Sequence, residues 1–451
     1  MPSLLHRFRS RHTYHNLVPN RMGLWSLVMT IFFCVSGGPY GLETIVQSGR
    51  GMALILIVVV ALIWGLPIAL LSAELGSAIP EEGGYYEWVK RGVGPRAGFA
   101  CAWLTYLYSC VDVAIYPVLF VGYLNSIGFS PSNASLDFLV RLAMVAPLAW
   151  LNIRGVISTG NTALAFAVAL LVPFVVMIGI GFIPALQHIP SISVPLVPAG
   201  MTTTGAATTG LFVIMWNYLG WDSISTISRE VKDASNIFPK ALMIGMPLVV
   251  LFYLLPVLVG INAVPDISCW TDGSWPTIAG AIGGPTLRLA VGLGGLLSAA
   301  GLFVAGLLAA SRIPFVLAAD SYLPQSFTTL HPRYGTPVRA IVISAVIYLI
   351  LSTFTFSELA TVDVLLYSSA LLLEFWALIQ LRRNQPELAR PFKISGGTKT
   401  VIVMALIVTL LVVTATTQML IDSWIEIAGL ALFAIITGII LMRFKKWRVG
   451  A

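Results

Sequence analysis

The chain has 451 residues, of which 57% are hydrophobic and only 10% charged, with a formal net charge of +7. A soluble globular domain carries roughly 25% charged residues, so this composition excludes one and predicts an integral membrane protein. The cations are spread over many short loops rather than gathered in one patch, which argues against a nucleic-acid partner.

Residues 1–23 are basic through Arg7, Arg9, Arg11 and Arg21, and are expected to lie against an anionic inner leaflet. Apolar runs long enough to cross a hydrocarbon core of about 30 Å follow. We place twelve, at 24–47, 53–79, 97–128, 137–154, 161–187, 205–227, 239–264, 277–318, 338–356, 359–382, 399–421 and 424–444. The first is read as a span, because it is too long for a signal peptide and has no small-residue cleavage site.

Alternate loops are basic: Lys90, Arg91 and Arg96; Arg229, Lys232 and Lys240; Arg333 and Arg339; Arg382, Arg383, Arg390, Lys393 and Lys399. The intervening loops hold few cations (Arg50, Arg141, Arg288) and the acids Asp266, Asp272, Glu358, Asp363, Asp422 and Glu426. This asymmetry predicts cytoplasmic termini and an even number of crossings, in a plasma or inner membrane. The four cysteines form neither a disulfide framework nor a metal site by spacing.

Two spans carry interruptions. The first contains Ser36-Gly37-Gly38-Pro39-Tyr40-Gly41-Leu42-Glu43, and the sixth contains Trp216-Asn217-Tyr218-Leu219-Gly220-Trp221-Asp222-Ser223. Glycine and proline weaken a helix interior. In hydrocarbon, each freed backbone group must be satisfied by protein or by a water-filled cavity. Interrupted helices at corresponding positions, five spans apart, point to an inverted repeat with a binding site at the breaks. The expected organisation is therefore an all-α, five-plus-five arrangement: helices 1–5 at 24–187, helices 6–10 at 205–382, an appended pair at 399–444, and a basic tail at 445–451.

Ionisable groups inside spans are costly and commonly functional. Glu43, Glu74, Asp112, Asp222 and Glu374 stand out, with no Lys, Arg or His deep in helices 1, 3, 6 or 10 to pair with them. Thr105, Tyr108, Asp112 and Tyr116 share one helical face, so a carboxylate is flanked by aromatic rings, a setting for ammonium groups. In helix 6, Trp216, Tyr218 and Trp221 surround Asp222. Glu74 is expected near an inner gate, against Arg312. Glu43, Asp222 and Glu374 are candidates for carrying a proton. Ser298 and Ser311 in helix 8 are the small polar residues a sodium site would use, although such residues more often serve packing. The glycines of helix 8, among them Gly292, Gly295 and Gly306, read as packing sites.

The sequence also resembles a known superfamily. Ala73-Glu74-Leu75 followed by Pro80-Glu81-Glu82-Gly83-Gly84-Tyr85 is similar to the loop between helices 2 and 3 of the amino acid/polyamine/organocation transporters. So are Ser311-Arg312, Ala319-Asp320, Leu323-Pro324 and His331-Pro332-Arg333-Tyr334-Gly335-Thr336-Pro337. Ser36 to Glu43, Val111-Asp112 through Tyr116-Pro117, Trp216-Asn217 with Trp221 to Thr226, and Leu373-Glu374-Phe375 resemble the polyamine uptake branch most. The resemblance implies a LeuT-like fold of about twelve transmembrane helices. It also implies proton-coupled import of putrescine, spermidine or similar cations at the unwound centres of helices 1 and 6. An amino acid permease of the same fold is the alternative. The usual amino acid branch holds a substrate carboxylate on backbone amides at the first break, and Pro39 has no amide to donate.

The residues expected to bind substrate are Ser36, Gly37, Gly38, Tyr40, Gly41, Glu43, Asp112, Tyr116, Trp216, Asn217, Tyr218, Gly220, Trp221 and Asp222. Those expected to couple protons or gate are Glu43, Glu74, Asp222, Arg312 and Glu374. The partners expected are a cationic small molecule (putrescine, spermidine or an amino acid), a proton and the lipid bilayer. No nucleotide fingerprint, metal cluster or nucleophile arrangement supports an enzyme, and no cofactor is expected.

Overall fold

The computed structural model describes residues 23–449, apart from 82–83, 156–159, 189–195, 224, 226–230 and 320. The basic leader over 1–22, Glu82, Gly83, Ile224, Thr226, Arg229 and Asp320 therefore lie outside the described residues, as do the side chains of Asp422, Glu426 and the basic tail.

In chain order the helices are α1 Leu24–Val35, α2 Arg50–Ala78, α3 Tyr85–Gly92, α4 Pro95–Ser126, α5 Ala134–Ile153, α6 Gly160–Gln187 and α7 Thr203–Asn217. There follow α8 Ala234–Ala263, α9 Trp275–Ala310, α10 Arg312–Ala319, α11 Val338–Leu351, α12 Phe356–Asn384 and α13 Gly397–Val449. Among the described residues, eight stretches are long and apolar enough to span a bilayer. Large apolar side chains such as Leu139, Val175, Ile180, Val346, Ile350, Leu406 and Leu410 stay exposed on their outer faces. In water that surface would drive aggregation; in a bilayer it meets lipid. The molecule is a multi-pass membrane protein.

Twelve spans are expected from the sequence, and the difference has physical causes. The 12 residues of α1 and 15 of α7 are too short to span because each stops at its interruption, and the 14 residues of α11 are also too short. At the other extreme, α13 runs for 53 residues where the sequence predicts a pair of helices. A straight helix of that length would reach about 80 Å. Yet Trp103 Nε1, near the start of α4, donates to Thr437 Oγ1 at 3.2 Å, while Ile394, just before α13, lies at the same end of the bundle and donates to Glu74. The two ends of α13 thus return to one side. The loop expected between the second and third spans contains α3, with Lys90 paired to Glu87 at 3.0 Å.

Cation-bearing loops gather at that end. Arg91 donates to Gln385 at 3.2 Å, Tyr322 stacks on Phe99 at 4.2 Å, and Thr336 Oγ1 reaches Ile153 O at 2.6 Å. At the opposite end, Gln47 donates to Trp270 O at 2.8 Å and Trp275 to Pro39 O at 2.7 Å. Between the ends, α9 lies tightly on α4. A methyl on Gly295 would fall 2.6 Å from Tyr123, and one on Gly306 would fall 2.6 Å from Val113. Small residues allow this approach, as in many membrane helix pairs. The contact fixes the α4 face that carries Asp112.

Candidate functional site

Helix α1 ends because Gly37, Gly38 and Gly41 take φ of +55°, +97° and +82°, a region that glycine enters without steric penalty. The freed backbone groups are met by protein. Ser298 Oγ donates to Gly37 O at 3.1 Å, Trp275 Nε1 to Pro39 O, and Asn217 Nδ2 to Gly41 O at 3.3 Å. Gly41 N–H donates to Tyr123 Oη at 3.0 Å, and Gly38 N–H to Ser36 Oγ at 3.2 Å. A six-residue 3-10 turn, Glu43–Ser48, then leads into α2. The second break is similar in kind: α7 stops at Asn217, and Gly220 takes φ +88°. A methyl on Gly220 would lie 2.9 Å from Cys34 O, so the two interruptions touch.

Where they touch, a small cavity of about 100 Å³ opens. That is below the roughly 300–1,000 Å³ usual for small-molecule sites, as for a site closed around its centre. Of the residues expected at the site, Ser36, Gly37, Tyr40, Asp112, Tyr116, Trp216, Asn217 and Gly220 line it. Asp112 is its best-defined polar group: Trp216 Nε1 donates to Oδ1 and Tyr116 Oη to Oδ2, each at 3.1 Å. Tyr108 and Tyr367 stand edge to face at 5.2 Å on another wall. No lysine, arginine or histidine is among its described lining residues.

The other expected residues lie behind this wall. Glu43 is buried with Oε1 accepting from Tyr123 Oη at 2.9 Å, and Oε2 has no partner among the described residues. Gly38 and Gly41 are not among the residues that line the cavity, although a methyl on Gly41 would fall 2.9 Å from Trp216. Tyr218 turns to α2, where its hydroxyl donates to Ile57 O at 2.9 Å, and Trp221 is buried beside Gly65 and Gly245. Asp222 lies one step beyond the lining: Tyr367 Oη donates to its Oδ1 at 2.7 Å, and buried Glu374 lies close to it.

The expected Glu74–Arg312 contact is corrected. Glu74 is held by Arg382 through a two-pronged ion pair, by Arg390 at 3.5 Å and by the Ile394 N–H at 2.8 Å. Arg312 instead donates to Leu308 O. The reason is that Arg382 belongs to the last turn of α12, packed on the end of α2, and not to a solvated loop. Ser298 and Ser311 are both engaged with backbone carbonyls.

Sequence reasoning missed Asp363, counted there among loop acids. It lies inside α12, fully buried, and lines the cavity one turn before Tyr367. The signal was available in the spacing. Asp363, Tyr367 and Glu374, four and eleven residues apart, fall on one face of a helix.

The family model described as amino acid permease matches residues 23–445. A probable polyamine transporter of Arabidopsis thaliana is 34% identical over 438 residues, covering 95% of this chain and 86% of that protein. A polyamine transporter of Oryza sativa subsp. japonica is 37% identical over 430 residues, covering 93% and 78%. The Asc-type amino acid transporter 1 of Homo sapiens is 26% identical over 338 residues, covering 72% and 63%. The family match spans both interruptions and the cavity-lining residues, and the matches describe a transporter rather than an enzyme. The chain belongs to the amino acid permease family.

Proposed function

We propose that this protein imports polyamines or related organic cations, driven by protons, by alternating access about the interruptions after α1 and α7. The observation that carries the reading is Asp112, set among Tyr108, Tyr116 and Trp216 in a cavity with no cation among its described lining residues. A carboxylate among aromatic faces attracts an ammonium by ion pairing and by cation–π contact. The aromatic walls also suit the methylene stretch between two amines. The names of the plant relatives agree with this substrate class.

Proton coupling is assigned to Asp222 and Glu374, joined to the cavity through Tyr367. Loss or gain of a proton on this neighbouring pair changes the polar contacts next to the second interruption, which is the kind of local change that biases a two-state transporter. The basic loop end is assigned to the cytoplasm, with both termini there, in a plasma or inner membrane.

The test is uptake of labelled putrescine and spermidine into proteoliposomes, with arginine and leucine alongside, with and without an inward proton gradient. Polyamine uptake stimulated by the gradient, with the stimulation lost in Asp222→Asn, is the expected result. Uptake of an amino acid and no polyamine would overturn the substrate assignment in favour of an amino acid permease.

A further inference from the structure

Asp363 is the least satisfied charged group in the cavity. It is 0% exposed, and neither carboxylate oxygen has a hydrogen-bond partner among the described residues. A buried carboxylate in that condition is costly unless something supplies charge and donors. Asp112, on the facing helix α4, already accepts one hydrogen bond on each oxygen, whereas the donor turned towards Asp363, the Trp216 indole N–H, is engaged by Asp112. The two acids line the same small cavity, so two ionised carboxylates there would repel each other. Trp216 lies between them, with its indole N–H on Asp112 and its ring against Phe356 of α12, 5.3 Å away.

We propose that Asp363 is a substrate-binding carboxylate, and that it and Asp112 together receive one protonated primary amine of the transported cation. The inference rests on the functional reading above and adds to it the residue that sets substrate class. A primary ammonium has three N–H donors, and ionised Asp363 has about four free acceptor positions. The amine therefore directs most of its donors to Asp363 and the remainder to Asp112, and its charge relieves their mutual repulsion. The same pair rejects an α-amino acid in this orientation. The carboxylate carbon of such a ligand is one bond from the amine-bearing carbon, which brings a third negative charge beside two others.

Binding of putrescine to the purified full-length protein tests this, with Asp363→Asn compared with the wild type. The expected result is affinity weakened by roughly tenfold or more, the usual scale for losing a charge-assisted contact. Butylamine and norvaline, which differ by one α-carboxylate, are run as competitors. The wild type prefers butylamine, and Asp363→Asn narrows that preference, a change that a merely structural role would not produce. If Asp363→Asn does not fold, Asp363→Glu serves, because advancing the carboxylate by one methylene shifts the best diamine in the series diaminopropane, putrescine and cadaverine towards a shorter chain. Unchanged putrescine affinity in Asp363→Asn, or an unchanged chain-length profile in Asp363→Glu, overturns the proposal. Absence of polyamine binding by the wild type would instead overturn the functional reading itself.

Discussion

Replacing Arg382 with methionine isolates the most deeply buried ion pair among the described residues. The side chains of Glu74 and Arg382 are 0% and 3% exposed, and Arg382 Nε reaches Glu74 Oε1 at 2.8 Å while Nη2 contacts Oε2. Removing one member of a buried pair typically costs 3–5 kcal/mol, because the other charge stays desolvated. Here the Ile394 N–H and the more distant Arg390 remain on Glu74, so the lower end, about 3 kcal/mol, is expected for Arg382→Met. Glu74→Leu alone should cost a similar amount by stranding Arg382. The double variant should recover most of either loss, since an apolar pair of similar volume replaces a buried ion pair at little cost. Thermal unfolding of the detergent-solubilised protein reads all three, and uptake provides the second readout. Arg382 lies on α12, the helix that also places Asp363 and Tyr367 in the cavity, so transport should fall in the single variants and return in the double. If the two single losses simply add in the double variant, the pair is not coupled and the reasoning fails.

Three further outcomes follow from the cavity walls and the groups behind them. Gly220→Ala should cut uptake at least tenfold, since its methyl meets the Cys34 carbonyl at 2.9 Å from a left-handed backbone; Gly200→Ala, at φ +83° with nothing within 4 Å, is the control and should leave uptake near normal. Tyr123→Phe removes both the donor to Glu43 and the acceptor of the Gly41 N–H, and should lower stability by about 1–3 kcal/mol, measured by thermal unfolding. Glu374→Gln should abolish gradient-stimulated uptake while leaving putrescine counterflow intact; loss of both together would place Glu374 in substrate binding or folding.

The features that composition and spacing make legible are those governed by the bilayer. A chain with 10% charged residues has no soluble option, and glycine with proline inside an apolar run marks where a helix must stop. The positions Gly37, Gly38, Gly41 and Gly220, where the backbone does turn, follow from the sequence alone. What spacing does not give is depth and facing. Trp221 and Tyr218 sit within five residues of Trp216, yet only Trp216 enters the cavity, because unwinding after Asn217 ends the helical register that would have kept them together. Arg382 reads as a loop cation since it follows a long apolar run, but the last turn of α12 is buried on α2.

Asp363 shows the same limit from the opposite direction. Near a helix start, an acid is ordinarily a capping residue, and Glu358 does fill that role, closing a capping box with Thr355. Five residues on, another acid, Asp363, faces inward to the cavity, beyond the reach of the helix terminus. Local pattern does not separate the two cases. The helical wheel does, because Asp363 repeats on the face of Tyr367 and Glu374, and that face points to the interruptions and away from lipid. In a membrane protein an acid that shares a face with other polar groups is costly unless that face has a ligand to meet, so the phase of polar residues within a span carries more information about function than their number.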